Sequence, residues 1–374
     1  MSFPRIALFL PSLEGGGAER VFVELANEFA ALGLRVDLVL ASAHGPYLAE
    51  VSGTVRIIDL HADGVLRALP RLTRYLRSRR PDAMLSGLNH ANVVAVLARL
   101  AAFGKTRCIV SMRSVPTAVY GANRSIRAWV VLQLMRWSFR FADAIVVNSN
   151  AVLSDLSRLS NAQRPEPIVI YNPLNVARIE RLSLEEIAHP WCAVGRPPIV
   201  LGVGSLTLLK DFPTLIRAFA TVRGHRDCRL VILGEGPQRE KIESLVRELA
   251  IQNDVHVPGF VTNPFAWMKR ARVFVSSSRT EGCPNALMQA LACGTPVIST
   301  DCVGGSAEIL QQGKWGRLTP VGDHTAMAIA IEASLDGSIY PDSRQRAEDF
   351  SHRKIAREYI SVLLPDQSQF GIGC

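Results

Sequence analysis

The stretch "TEGCPNALMQALACGTPVIST" occupies residues 280–300 and follows directly on "RVFVSSS". The leading run reads as a buried strand, Gly282-Cys283-Pro284-Asn285 as a turn, and "ALMQALACG" as an amphipathic helix that hands over to another β-rich run, "PVIST". A strand that turns straight into a helix and returns as a strand implies a parallel sheet covered by helices. Ligands of such sheets bind beyond the carboxyl ends of the strands, where helix starts present amides and a positive dipole end. Pro284 pre-sets the turn, Asn285 is the expected cap, and the amides of Asn285, Ala286 and Leu287 are offered to an anion. Glu281 beside a bound anion is unfavourable unless it accepts sugar hydroxyls or stabilises developing positive charge; the plain alternative is a helix-start acid.

The same alternation extends in both directions. Upstream come "RIALFL", "RVDLVLA", "VRIIDL", "AMLSG", "CIVSM", "AIVVNS" and "IVIYN", each followed by a turn or helical pattern. The pattern breaks at "IERLSLEEIAHPWCAVG", and a second series runs through "PIVLGVG", "RLVILG", "DVHVPG", "RVFVSSS", "PVIST" and "GRLT". The expectation is an α/β chain of two Rossmann-like domains. Residues 1–180 form the first, 181–197 a linker and 198–350 the second, with 351–374 a helix crossing back to the first domain and a tail.

A chain of 374 residues exceeds what one core usually organises, and 48% hydrophobic against 20% charged residues excludes disordered and fibrous classes. Seven scattered cysteines without a C-x-x-C suit a reducing compartment, and "MSFPRIALFLPSL" reads as a first strand rather than a signal peptide, so the expected location is cytoplasmic. The apolar run "ANVVAVLARLAAFG" is interrupted by Arg99 and too short to span a bilayer.

Charge is uneven, with 22 basic against 15 acidic residues in 1–190, and 20 against 18 in the remainder. Arg67, Arg71, Arg74, Arg77, Arg79 and Arg80 line the polar side of "LRALPRLTRYLRSRR", whose Leu66, Leu69, Leu72 and Leu76 are positioned for a core. Nucleic acid is disfavoured because Tyr75 is the single aromatic there; the readings left are an anionic membrane surface and a solvated helix face. The run "NRSIRAWVVLQLMRWSFRFADA", with Arg124, Arg127, Arg136 and Arg140, directly precedes a buried strand. Packing on the sheet is therefore expected in preference to a bilayer interface.

Three more loops carry candidate chemistry. "LEGGGAER" offers Gly15, Gly16 and Gly17 before a helix with Val21, Leu25, Phe29 and Leu32 on one face, which is either a phosphate cradle or a hinge loop. "VGSLTLLKDFPTL" places Lys210 just before a helix, as a cation suited to a diphosphate. Asn89 and His90 in "GLNHAN" and Arg113 in "SMRS" follow first-domain strands; Arg113 is the stronger candidate for gripping an acceptor, while His90 more often serves a helix start.

Together with "VVNS", "YNP", "LGEGPQREKIESL", "VPGFVTNP", "GGSAEIL" and "GRLTPVGD", these segments make the chain resemble the family 4 retaining glycosyltransferases of GT-B fold, in which two Rossmann-like domains face each other across a cleft. The resemblance covers nearly the whole length. It implies that Lys210 neutralises the diphosphate of a nucleotide-sugar donor, Glu281 faces the transferred sugar, and Gly16 and Gly17 contact phosphate. It further implies that Gly234 and Val261 lie in the walls around the base, and that Asn285, Ala286 and Leu287 offer amides.

Two departures stand out. Gln289, eight residues after Glu281, replaces the second glutamate that accepts the ribose hydroxyls; exchanging charge-assisted for neutral bonds costs roughly 1–2 kcal/mol. Ser205 replaces an arginine at the diphosphate, where losses reach ~3 kcal/mol. The implied reaction transfers a sugar with retention, with no metal, from a UDP-hexose or UDP-N-acetylhexosamine to a lipid-linked saccharide or growing glycan. The alternatives are a weakened homologue acting as a binding partner and a sugar-nucleotide epimerase.

Overall fold

The computed structural model describes residues 3–115, 117, 126–159, 165–337 and 341–365, with the side chains of 126–128 and 159 excepted. Arg124, the side chain of Arg127 and the tail 366–374 lie outside the described residues. The chain divides into two compact units, Met1–Pro173 with Phe350–Cys374, and Leu174–Asp349.

The first unit is built on seven parallel strands: β1 (Arg5–Leu10), β2 (Arg35–Leu40), β3 (Arg56–Asp59), β4 (Ala83–Gly87), β5 (Arg107–Met112), β6 (Ala144–Val147) and β7 (Pro167–Val169). Their spatial order is β3-β2-β1-β4-β5-β6-β7. Period-two alternation sends Ile6, Leu8 and Leu10 to one core and Ala7 and Phe9 to the other, so both faces must be covered. Helix α1 (Gly17–Ala31) covers one face; α2 (Leu69–Arg79), α3 (Asn89–Ala102), α4 (Ile126–Ser138) and α5 (Asn150–Leu159) cover the other.

In α1, Val21, Leu25 and Phe29 are buried as their spacing requires. Phe22, Val23 and Ala26 are buried as well, because a last helix of the chain packs along α1. Pro70 lies in the first turn of α2, where its missing amide costs nothing. The preceding Val65–Ala68 forms a separate 3₁₀ turn, so Leu66 is exposed, while Leu72 and Leu76 reach the core.

The second unit opens with α6 (Val176–Ser183) and then alternates β8 (Ile199–Val203), α7 (Phe212–Arg223), β9 (Arg229–Leu233), α8 (Arg239–Glu248), β10 (Val255–Gly259), α9 (Pro264–Arg270) and β11 (Val273–Ser276). It continues through α10 (Asn285–Ala292), β12 (Val297–Thr300), α11 (Ser306–Ile309), β13 (Arg317–Thr319), α12 (His324–Leu335) and α13 (Arg344–Glu348). The six strands are parallel in the order β10-β9-β8-β11-β12-β13. Residues 181–197, read from the sequence as a linker, belong to this unit; α6 packs on α9 and α10, and Asn263 Nδ2 donates to the Leu182 carbonyl at 2.9 Å.

The final helix, α14 (His352–Leu363), belongs to the first unit. Its Ile355, Ala356, Tyr359, Ile360 and Leu363 join the α1 core, and Arg107 Nε donates to the Val362 carbonyl at 3.0 Å.

Candidate active site

In each sheet the strand order reverses once, between β1 and β4 in the first unit and between β8 and β11 in the second. Loops leaving two strands of opposite progression diverge at such a point and leave room for a ligand. In the second unit the loops after β8 and β11 carry Lys210 and Glu281, and Lys210 Nζ donates to Glu281 Oε1 at 2.5 Å. Both side chains are largely covered, with 26% and 12% exposure.

That pair is braced from several sides. Ser278 Oγ donates to the same Glu281 oxygen at 2.6 Å. Ser277 Oγ donates to the Lys210 carbonyl at 2.9 Å and the Arg279 amide to the Leu209 carbonyl at 2.7 Å, stitching the two loops together. Asp211, left-handed at φ 46°, ends the lysine loop; its carboxylate accepts from Thr214 Oγ1 at 2.9 Å and pairs with Arg279 at 3.0 Å. On the far side the Glu281 amide donates to the Val303 carbonyl at 3.1 Å. Gly304, at φ 147°, lies so close that a Cβ there would stand 1.9 Å from the Glu281 carbonyl oxygen.

The contacts continue across neighbouring strand ends. The Lys210 stem lies over Gly204, and a Cβ on Gly234, at φ 146°, would meet the Gly204 carbonyl oxygen at 1.9 Å, so only glycine lets these backbones touch. The Gly234 amide donates to the Gly259 carbonyl at 2.8 Å, which places the loop bearing Val261 next in line. Gly234, Lys210 and Glu281 are thus one continuous surface at the carboxyl edge of the second sheet. Helix α10 follows directly, with Ala286 and Leu287 in its first turn and Gln289, partly exposed, one turn further. Pro284 holds the cap position with no side-chain bond and Asn285 is the first helical residue, correcting the expectation of an Asn285 cap: proline's fixed φ enters the helix one residue earlier.

At the reversal point of the first unit the glycine loop differs from expectation. The amides of Gly15 and Gly16 both donate to Glu19 Oε2 at 2.8 Å, and Tyr47 Oη donates to the Gly15 carbonyl at 3.1 Å. The Gly16 amide, expected to meet a phosphate, is therefore engaged by a carboxylate of its own helix, and Gly17 opens α1. Glu19 was legible as the acid half of a capping box, three residues beyond the cap, but the sequence reading weighed only a phosphate cradle against a hinge loop, and the resemblance implied phosphate contact. Ser278 was also missed; a serine beside a carboxylate carries no pattern of its own.

Asn89 is buried, with Nδ2 3.4 Å from Ser114 Oγ, and His90 is exposed in the first turn of α3. Arg113 is engaged through two of its three nitrogens: Nη1 donates to Asn172 Oδ1 at 2.6 Å, Nη2 to Tyr359 Oη at 3.0 Å, and the guanidinium lies over the Phe22 ring at 5.1 Å. These partners make Arg113 a brace between β5, α1 and α14. Among the described residues no group of three or more His, Cys, Asp or Glu is placed to hold a metal ion.

The family model "Glycosyl transferases group 1" matches residues 197–336, and "Glycosyltransferase Family 4" matches residues 15–178. The chain belongs to the family 4 glycosyltransferases. It is 28% identical to the N-acetylgalactosamine-N,N'-diacetylbacillosaminyl-diphospho-undecaprenol 4-alpha-N-acetylgalactosaminyltransferase of Campylobacter jejuni, over 96% of this chain and 99% of that one. It is 26% identical to the lipopolysaccharide core biosynthesis glycosyltransferase LpsE of Rhizobium meliloti, over 93% and 96%. Among solved structures, sucrose-phosphate synthase from Thermosynechococcus elongatus superposes with a TM-score of 0.81 at 22% identity, covering 98% of this chain and all of that one. Anabaena HepE in complex with UDP and glucose superposes at 0.79 with 18% identity, covering 96% and 98%. The glycosyltransferase thus has the GT-B fold. Among its described residues no helix is long and apolar enough to cross a membrane.

Proposed function

We propose that this glycosyltransferase moves a hexose or N-acetylhexosamine from a UDP donor to a lipid-linked saccharide or growing glycan, with retention, forming an α-linkage. The observation that carries the reading is the Lys210–Glu281 pair at the strand-order reversal of the second sheet. A lysine parked on a carboxylate gains a second anionic partner when a diphosphate arrives. Its charge, with the α10 amides of Ala286 and Leu287, offsets charge on the leaving group without a metal ion. Glu281 is then released toward the sugar, held in place by Ser278. Gly234 and Val261 flank the base, and Gln289 accepts from the ribose through one neutral oxygen.

Substrate choice rests on the relatives: the Campylobacter enzyme is named for α-transfer onto a diphospho-undecaprenol glycan, and HepE was solved with UDP. A lipid-linked acceptor places the enzyme on the inner face of the cytoplasmic membrane as a peripheral protein. Thermal-shift measurements with UDP-, GDP- and ADP-sugars test the donor, because a ligand of the folded state raises its melting temperature. UDP-sugars are expected to give the largest shift; a shift with none of the three removes the donor assignment, and a β-linked product removes retention. Gln289→Glu is expected to tighten the donor roughly tenfold, read as dissociation constant.

A binding partner with weakened turnover is the second reading, favoured by Ser205, an exposed hydroxyl where the resemblance calls for an arginine. Donor hydrolysis in the absence of acceptor separates the two, since a pure binder releases no sugar.

A further inference from the structure

Helix α4 and the 3₁₀ turn Phe139–Phe141 that follows it carry an apolar stripe that the fold does not use. Val130, Leu134, Trp137 and Phe141 recur at the spacing of one helix face, and all four are exposed. Trp137 and Phe141 meet edge to face at 5.1 Å, so the aromatic end of the stripe is pre-formed. The opposite side of the same element buries Met135 and Phe139 in the core. Beside the stripe runs a second exposed row with Trp129, 62% exposed, Arg136 and Arg140. The sequence posed packing on the sheet and lying in a bilayer as alternatives; the helix packs with one side and leaves an interfacial side outward.

The surroundings decide the occupant. Helices α2, α3 and α4 form one layer on the same face of the sheet, α3 contacting both others. Residues 63–143, which include this layer, hold fourteen Arg and Lys against three acidic residues, Asp63, Asp82 and Asp143. Asp63 pairs with Arg67 at 3.8 Å and Asp143 with Arg99 at 3.4 Å, while Arg107 and Arg113 reach the α14 side of the sheet. Arg67, Arg71, Arg74, Arg77, Arg79 and Arg80 are all exposed on or beside α2. Arg71 and Arg77 also donate to backbone carbonyls, of Leu60 and Ala101, at 2.6 Å each, which fixes their guanidinium groups without neutralising them. A second copy laid on this face would oppose like charge. Tryptophan and phenylalanine set among arginines suit the boundary between anionic headgroups and acyl chains.

We infer that the α4 face inserts into the headgroup layer of an anionic lipid surface, with Val130, Leu134, Trp137 and Phe141 entering the acyl boundary while Arg136, Arg140 and the α2 arginines hold the headgroups. This deepens the lipid-linked reading of the acceptor and rests on it for its purpose, since it brings the first unit to the surface where such an acceptor resides. Vesicle binding is scored without turnover, so the two stand or fall separately.

The test is flotation of the full chain with vesicles of phosphatidylcholine alone and of phosphatidylcholine with about one third phosphatidylglycerol. The wild type is expected to float with the anionic vesicles and to show a blue-shifted tryptophan emission. Leu134→Ser with Trp137→Ser should weaken flotation about tenfold or more, with cooperative thermal unfolding retained because neither side chain belongs to the buried core. Arg136→Gln with Arg140→Gln should remove the preference for anionic lipid. Failure of the wild type to bind either vesicle overturns the inference, as does undiminished binding by the serine variant. A wild-type dimer that the serine variant converts to a monomer also overturns it, by making the stripe a subunit interface. Turnover with a short-chain, water-soluble acceptor tests the acceptor reading by itself; its loss there would leave the vesicle result standing.

Discussion

Each sheet carries a carboxylate at the strand-to-helix corner by its reversal point, and the two are used in opposite ways. Glu19 sits in the first turn of its own helix, so its oxygen caps the amides of Gly15 and Gly16. Glu281 precedes its helix by four residues and turns to Lys210 and Ser278 instead. A shift of a few positions relative to the helix start thus converts a structural carboxylate into one whose partner is a cation with capacity to spare. The difference teaches that the position of a carboxylate relative to the helix start decides whether it bonds its own helix entrance or a side chain from another loop.

The sharpest way to break this contrast is at the cation. On the proposed function, Lys210→Ala is expected to lower kcat about 10²- to 10³-fold with the fold retained, measured as sugar transferred from the donor, because the group proposed to offset leaving-group charge is lost. An unaltered kcat would make the pair structural, like its counterpart in the first unit. Next comes the wall behind Glu281. Gly304→Ala places a Cβ against a backbone oxygen at a φ of 147°, so the 281–282 loop must move. A loss of roughly 1–3 kcal/mol in stability is expected by denaturant unfolding, with activity falling further than stability alone explains.

Glu19→Ala probes the other corner. Removing the carboxylate that caps two amides should cost about 1–2 kcal/mol, read as a lower melting temperature, while kcat at saturating donor stays within a few-fold. A collapse of kcat would bring Glu19 into the reaction and erase the distinction drawn here.

The smallest effect is a pH dependence that belongs to the second unit. His189 and His256 stack with ring centroids 4.7 Å apart beside Trp191 and Trp267, and burial holds both below the ordinary histidine range, with His189 adding to the effect on His256. The unfolded chain therefore takes up protons at a higher pH than the folded one. The stability these rings contribute is full above the unfolded value of 6.5 and is lost as pH falls through their lower folded values. The melting temperature should decline on acidification below that point, and His256→Asn should flatten the slope.

Much of this was legible in the primary structure because the signals were local. The buried runs and their alternation gave parallel strands and helices, and "SLTLLKDFPTL" and "RVFVSSSRTEG" marked the loops that hold Lys210 and Glu281. What misled was equally local in form. Asn285 has the chemistry of a cap, yet Pro284 takes the position. Arg113 follows a strand end as an acceptor-binding residue would, but Asn172, Tyr359 and Phe22, remote in sequence, claim its guanidinium. The leucine at position 66 fits the helical period of α2, but Pro70 starts that helix too late to include it.

The sequence by itself determined the element types, the α/β class and the identity of the charged groups beyond the strand ends, because hydrophobic period and turn chemistry act over a few residues. Only the tertiary structure decided which of those groups are partners. Strand order placed β8 beside β11 and so put Lys210 against a carboxylate 71 residues away, and core packing set α14 against α1. The outward stripe of α4 was likewise settled by packing, since a helix apolar on both sides reveals which side is covered only when its neighbours are in place.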